Sequence, residues 1–210
     1  MKKIILALAA VVLAAGAAQA GLASDEPAEF SVQGQYWFPG EGDFDLFGSA
    51  YGVQASWREW VAFPFGVGFN VGIAQWNVDA HSNPYKWRSI SDYDGDVTLI
   101  PIGLSLAYCL IDWNDWDVNL ETGLQYVFVD SGVDCRSSDD GARHDIDIDN
   151  AVWWTVGAEF DYQITEGVYV VGGAGFQTDV VRAESDYDLG ELRDTRFQAF
   201  YGKLGMKFLF

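Results

Sequence analysis

The 210-residue chain is short of positive charge, histidine and cysteine. Twelve Lys and Arg stand against 31 Asp and Glu, a formal net charge of −19. Nucleic acid is thereby disfavoured as a partner, because phosphate binding needs a basic footprint. A chain this acidic attracts cations or basic partners instead. There are only two histidines, His81 and His144. Ser82 lies near the first, and Ser137, Ser138 and Asp145 near the second. Any loop this rich in Ser and Asp offers such neighbours, so the signal for a nucleophilic triad is weak. No phosphate-binding glycine loop, zinc motif or nucleophile elbow is present. The expectation is a protein that is not an enzyme and holds no cofactor. After residue 20, no apolar run is long enough for a membrane-spanning helix.

The chain opens on a charged Lys2-Lys3 pair and an apolar Ile4 to Ala15 stretch, ending in the small-residue site Ala18-Gln19-Ala20. Residues 1–20 therefore read as a cleavable signal peptide, and 21–28 as a short N-terminal segment. From 29 to 210 one domain is expected. Half of the chain is hydrophobic and 16% is aromatic, too apolar for disorder.

What fills this domain is period-two alternation. Eight segments show it, at about 30–38, 49–58, 62–75, 97–110, 117–129, 150–163, 168–180 and 196–210. Bulky residues keep to one face, as in Phe63, Phe65, Val67, Phe69, Val71 and Ile73. Small or polar ones take the other, as in Gly66, Gly68, Asn70, Gly72 and Ala74. A soluble sandwich would turn its charged face to water. Here the consistently bulky face suits lipid, and the small face suits a narrow lumen. Connections alternate in length: short turns near 59–61, 111–116 and 163–167, and long acidic loops at 39–48, 76–96, 130–149 and 181–195. Trp57, Trp60, Trp113, Trp116 and Tyr162 would form one aromatic girdle. Tyr36, Phe38, Tyr51, Trp76, Phe128, Trp154 and Phe176 would form the other. The fold class is all-β, an eight-stranded antiparallel up-and-down transmembrane β-barrel. A hairpin inside 76–96 or 130–149 would raise the count to ten. Cys109 and Cys135 fall at opposite ends of the wall, ~25 Å apart, so no bond between them is expected.

The chain ends Lys203-Leu204-Gly205-Met206-Lys207-Phe208-Leu209-Phe210. Lys203, Gly205, Phe208 and the terminal Phe210 give this ending the pattern of the C-terminal assembly signal of bacterial outer-membrane β-barrels, which it resembles. The resemblance is to the small eight-stranded, porin-like barrel superfamily. It implies residence in a bacterial outer membrane, with lipid, lipopolysaccharide and the barrel assembly machinery as partners.

Strand parity also brings candidate site residues together. Arg58, Glu121, Glu159, Asp161, Lys203 and Lys207 should meet in the periplasmic half of the lumen and pair, since unpaired buried charge is expensive. They act as a plug or as a gate. Trp37, Val127, Trp153 and Phe197 would line an apolar cup above, suited to a small hydrophobic ligand. Asp92, Asp94 and Asp96 fail the EF-hand pattern at Val97 and Gly103. With Asp145, Asp147 and Asp149 they are weak candidates for divalent cations. The expected function is membrane integrity or surface interaction through acidic loops. The alternative is a narrow channel or carrier for small hydrophobic or cationic solutes, and a lipid-modifying enzyme is the third class.

Overall fold

The computed structural model describes residues 27–39, 47–78, 90–137, 143–181, 183–187, 193–195 and 197–210. Residues 1–20, read as a signal peptide, and the loop residues His81, Ser82 and Ser138 lie outside them. The strands are β1 (Glu29–Pro39), β2 (Phe47–Ala62), β3 (Phe65–Val78), β4 (Ile90–Trp113), β5 (Trp116–Ser137), β6 (Arg143–Ile148), β7 (Ala151–Thr165), β8 (Val168–Val181), β9 (Ala183–Tyr187), β10 (Arg193–Thr195) and β11 (Ala199–Leu209). Eight of them close a ring in the order β1-β2-β3-β4-β5-β7-β8-β11, every pairing antiparallel. The seam is the β1–β11 ladder, running from Glu29↔Leu209 to Pro39↔Ala199. A closed ring leaves no edge strand in the wall, as a strand-built membrane span requires.

The alternation sets which face is which. Phe65 is 60% exposed, Leu104 and Leu204 each 68%, and Phe200 60%, all on the outside. Their strand neighbours Gly66, Ser105, Lys203 and Ala199 face the lumen. An apolar exterior of this extent is a lipid-facing surface and would not persist in water. Tight connections join the strands at one end. Asn114 takes a left-handed φ of 54° in the β4–β5 turn, and Gly167 a φ of 72° in the β7–β8 turn. Asn and Gly are the residues that tolerate this region most easily. The turn expected at 59–61 lies at 63–64 instead, because β2 continues through Trp60 to Ala62.

β4 and β5 have 24 and 22 residues, about twice the ~9–11 that cross a bilayer. Above Asn77↔Asp96, β4 leaves β3 behind. Above Val127↔Ala151, β5 leaves β7. The freed upper part of β5 pairs with β6, β6 with β9, and β9 with β10. Segments 130–149 and 181–195, expected as loops, thus contain strands that extend the sheet beyond the barrel rim. The hairpin lies above the wall and not in it, so the ring stays at eight. Acidic residues hide these strands in the sequence, since Asp145-Ile146-Asp147-Ile148 alternates carboxylate with isoleucine and reads as a solvated loop. Ile148 is in fact buried in the core.

Two aromatics expected in the girdles point inward. Trp76 shares the lumen face of β3 with Ala74, and both are buried; Trp60 shares that of β2 with Arg58. Both follow from the alternation itself, which outranks their resemblance to interfacial anchors. Trp113 and Trp116 remain exposed at the turn end, while Tyr36, Phe38 and Tyr51 are exposed near the other.

Cys109 is buried and forms no disulfide. It stands opposite Asn119 near the turn end, whereas Cys135 stands opposite Tyr93 and His144 in the extension. Intact-mass measurement under non-reducing conditions, before and after thiol alkylation, should therefore count two free thiols. A mass two hydrogen atoms lighter that resists alkylation would contradict this register.

Candidate functional site: a three-layered lumen

The lumen-facing residues divide into three layers along the barrel axis. The layer nearest the tight turns is charged. Arg58 on β2 sits directly across from Glu29 on β1. Its Nη1 lies 3.0 Å from Glu29 Oε2, its Nη2 lies 3.1 Å from Glu159 Oε1, and the same Nη2 contacts Glu121. Lys203 Nζ bridges Glu121 Oε2 at 2.5 Å and Glu159 Oε2 at 2.6 Å. Lys207 Nζ contacts Asp161 Oδ2 at 2.7 Å and Glu29 Oε1 at 3.4 Å. Neutral donors complete the layer: Trp60 Nε1 donates to Glu29 Oε1 at 2.9 Å, and Gln33 Nε2 to Glu159 Oε2 at 3.0 Å.

All six charged residues expected from strand parity meet here. Glu29 joins them unannounced, because the first alternating segment begins at Phe30. Carrying the alternation back one residue puts Glu29 on the same face as Ser31 and Gln33, all three buried. The glycines of β8 make the lysine contacts reachable. A Cβ on Gly173 would come within 2.7 Å of Lys203 Cε, so the lysine stem lies across bare backbone.

The middle layer is polar and uncharged. Gln35 Nε2 donates to Gln54 Oε1 at 3.1 Å, and Gln54 Nε2 to Ser56 Oγ at 3.2 Å. A cavity of about 30 Å³ opens here beside Asn70, Ser105, Gln125 and Thr155. That is room for one or two waters and nothing larger.

The third layer is apolar. Trp37, Trp76, Val97, Leu99, Val127, Trp153 and Phe197 are packed in one buried cluster. Phe197 sits edge-on to Trp76 with ring centroids 5.6 Å apart, and tilted against Trp153 at 5.9 Å. It belongs to no strand. Its backbone is fixed by Asp179 Oδ2, which accepts from Phe197 N at 2.6 Å, and by Gln177, whose Nε2 donates to Phe197 O at 3.0 Å. Gln177 Oε1 in turn accepts from Trp37 Nε1 at 3.0 Å. The four residues expected to line a cup thus do come together, but they fill the space that a cup would leave.

The acidic candidates for cations fall on the extension. Asp94 is in register with Asp134, and Asp134 with Asp145; Asp147 is in register with Asp186. Asp92 faces Arg136 and Asp96 faces Gly132 in register, while Asp149 is exposed just past β6. Among the described residues, no group of three or more His, Cys, Asp or Glu is arranged to hold a metal ion.

The last strand serves two faces. Lys203 and Lys207 point inward, while Phe210 is exposed at its end and stacks on Trp57 at 6.1 Å and 19°. Gly205 faces inward where a Cβ would come within 2.6 Å of Gln33 Cα, and Phe208 lies on the outer face of the same strand. Deleting Phe210 should lower the heat-modifiable, membrane-inserted fraction in cells severalfold. Lys203→Ala should leave that fraction nearly unchanged while lowering the unfolding midpoint. Equal loss of inserted protein in both variants would contradict this division of labour.

No family model matches the sequence. No curated protein matches it either. Solved structures do match. The chain is similar to Escherichia coli outer membrane protein W, with 14% identity and a TM-score of 0.51 over 89% of this chain and 100% of that one. It is similar to a major outer membrane protein from Thermus thermophilus, with 16% identity and a TM-score of 0.50 over 87% and 99%. Outer membrane protein AlkL, solved in lipid bilayers, aligns at 16% identity and a TM-score of 0.50 over 88% and 90%. At these identities the likeness is one of fold. The closed ring, the lipid-facing exterior and these matches together give the chain the fold of the small eight-stranded outer-membrane β-barrels.

Proposed function

We propose that the chain is a non-conducting, non-enzymatic outer-membrane barrel that anchors an acidic, strand-built platform outside the bilayer. The observation that carries this reading is the lumen. A salt-bridged layer and a packed apolar layer block it in series, and the cavity between them measures about 30 Å³. A conducting pore of this size would have to dismantle both layers. The long β4 and β5 instead place much of their length beyond the membrane, where β6, β9 and β10 widen the sheet. The role that follows is surface interaction or envelope integrity, with lipopolysaccharide, divalent cations or basic ligands as partners of the acidic residues. Reconstituted into liposomes, the folded protein should give no osmotic swelling with small sugars or amino acids. Swelling at the rate of a general porin would overturn the reading. A comparison of lipid A masses with and without the gene should show no change; a new or missing acyl chain would establish an enzyme.

One observation favours a second reading, a carrier for small hydrophobic solutes. Phe197 plugs an apolar layer from outside any strand, so its displacement would open a tryptophan-lined cup. Tryptophan fluorescence should then shift on addition of long-chain amphiphiles below their critical micelle concentration. The first reading expects no shift.

A further inference from the structure

The charged layer does not balance. Glu29, Glu121, Glu159 and Asp161 share Arg58, Lys203 and Lys207, and the half-buried Asp117 approaches Lys207 Nζ as well, at 4.0 Å, so carboxylates outnumber cations. Its hydrogen bonding is lopsided in the same direction. Asn119 Oδ1, Asp161 Oδ1 and Gln33 Oε1 are buried acceptors with no partner. Asp161 is 0% exposed and Asn119 1%. The two are already joined, since Asn119 Nδ2 donates to Asp161 Oδ2 at 2.9 Å. That bond fixes the amide so that its oxygen remains an acceptor. A buried region with carboxylates in excess and its acceptors unmet calls for a positive species with no directional donor of its own.

We infer that the lumen holds one small monovalent cation, of the sodium or potassium class, on Asp161 Oδ1 and Asn119 Oδ1. Two protein oxygens supplemented by water suit such an ion. A divalent ion would want six or more oxygens, with several carboxylates among them. The register supplies a way in. Asp112, Asp117 and Asp161 stand opposite one another on β4, β5 and β7. Along that row Asp112 is exposed, Asp117 half-buried and Asp161 buried. Asp117 Oδ2 lies 4.0 Å from Lys207 Nζ, which links the row to the charged layer. A cation arriving from the turn end meets one carboxylate after another. The apolar layer bars it from leaving at the other end, so the site stores an ion and does not pass one.

The test is thermal unfolding of the full barrel in uncharged detergent at pH 7.5. Sodium chloride is compared with choline chloride at equal ionic strength, because choline is too large for the lumen. The unfolding midpoint should be higher in 100 mM sodium by about 3–5 °C. Asp161→Asn should abolish the difference, and so should Asn119→Leu, which removes an acceptor without touching the charge count. Asp149→Asn on the exposed extension should keep it. If Asp161→Asn fails to fold, Asn119→Leu decides. No sodium effect in the wild type, or an effect that survives in Asn119→Leu, would overturn the site. An effect lost in Asp149→Asn would assign it to the outer surface and equally overturn it. A midpoint that rises only on acidification in choline would show that a proton supplies the missing charge, and would overturn the cation.

Discussion

Replacing Arg58 by alanine is expected to destabilise the barrel by about 3–5 kcal/mol, the cost of stripping the partner from buried charge. Among the described residues, Arg58 is the one side chain that reaches Glu29, Glu121 and Glu159 together. Without it, those three carboxylates crowd the layer with Lys203 and Lys207 as their only cations. Arg58→Lys keeps the charge but loses the planar fork that serves three acceptors. Its loss should be clearly smaller. Urea unfolding in micelles, followed by tryptophan fluorescence, separates the two. A loss below about 1 kcal/mol for Arg58→Ala would place the pair energy in the range of solvated surface bridges, and would mean that water already screens this layer. The variant should still insert in membranes, because the lipid-facing residues and the C-terminal strand are untouched.

Trp153→Ala should cost about as much, roughly 3–5 kcal/mol, for a different reason. Trp153 is fully buried and packs against Phe197. Its loss removes one of the three tryptophans of the apolar layer, and strands hydrogen-bonded on both sides cannot collapse into the gap. The structure should therefore keep a hole. Trp153→Phe should recover much of the stability. If Trp153→Ala were neutral, the apolar layer would be loosely packed and the carrier reading would gain. The two variants lie in different layers, so their costs should add to within a few tenths of a kcal/mol.

Much of this is legible in the sequence. Period-two alternation fixes most inward and outward assignments in the ring, because a strand has only two faces; register shifts, such as the one between Cys109 and Ile111, break it near the strand ends. The six charged residues meet in the lumen because the alternation places each of them inward at similar depth. Four things are not legible. Glu29 is lost at a strand end, where boundaries drift by a residue or two. Trp60 and Trp76 obey the alternation but look like interfacial anchors, and composition misleads where parity does not. The β6, β9 and β10 strands are hidden by acidic residues, since strand pairing above the membrane is decided by neighbours far away in sequence. The filling of the apolar layer by Phe197 is equally out of reach. Its position is set by Asp179 and Gln177, tertiary contacts that no local pattern announces.

Single-channel recording in planar bilayers tests the closed lumen most directly. The wild type should show no stable open state, and neither should Arg58→Ala or Trp153→Ala alone, since each leaves one barrier standing. The double variant should show discrete openings. Steady conductance from the wild type, or from Arg58→Ala alone, would contradict two barriers in series.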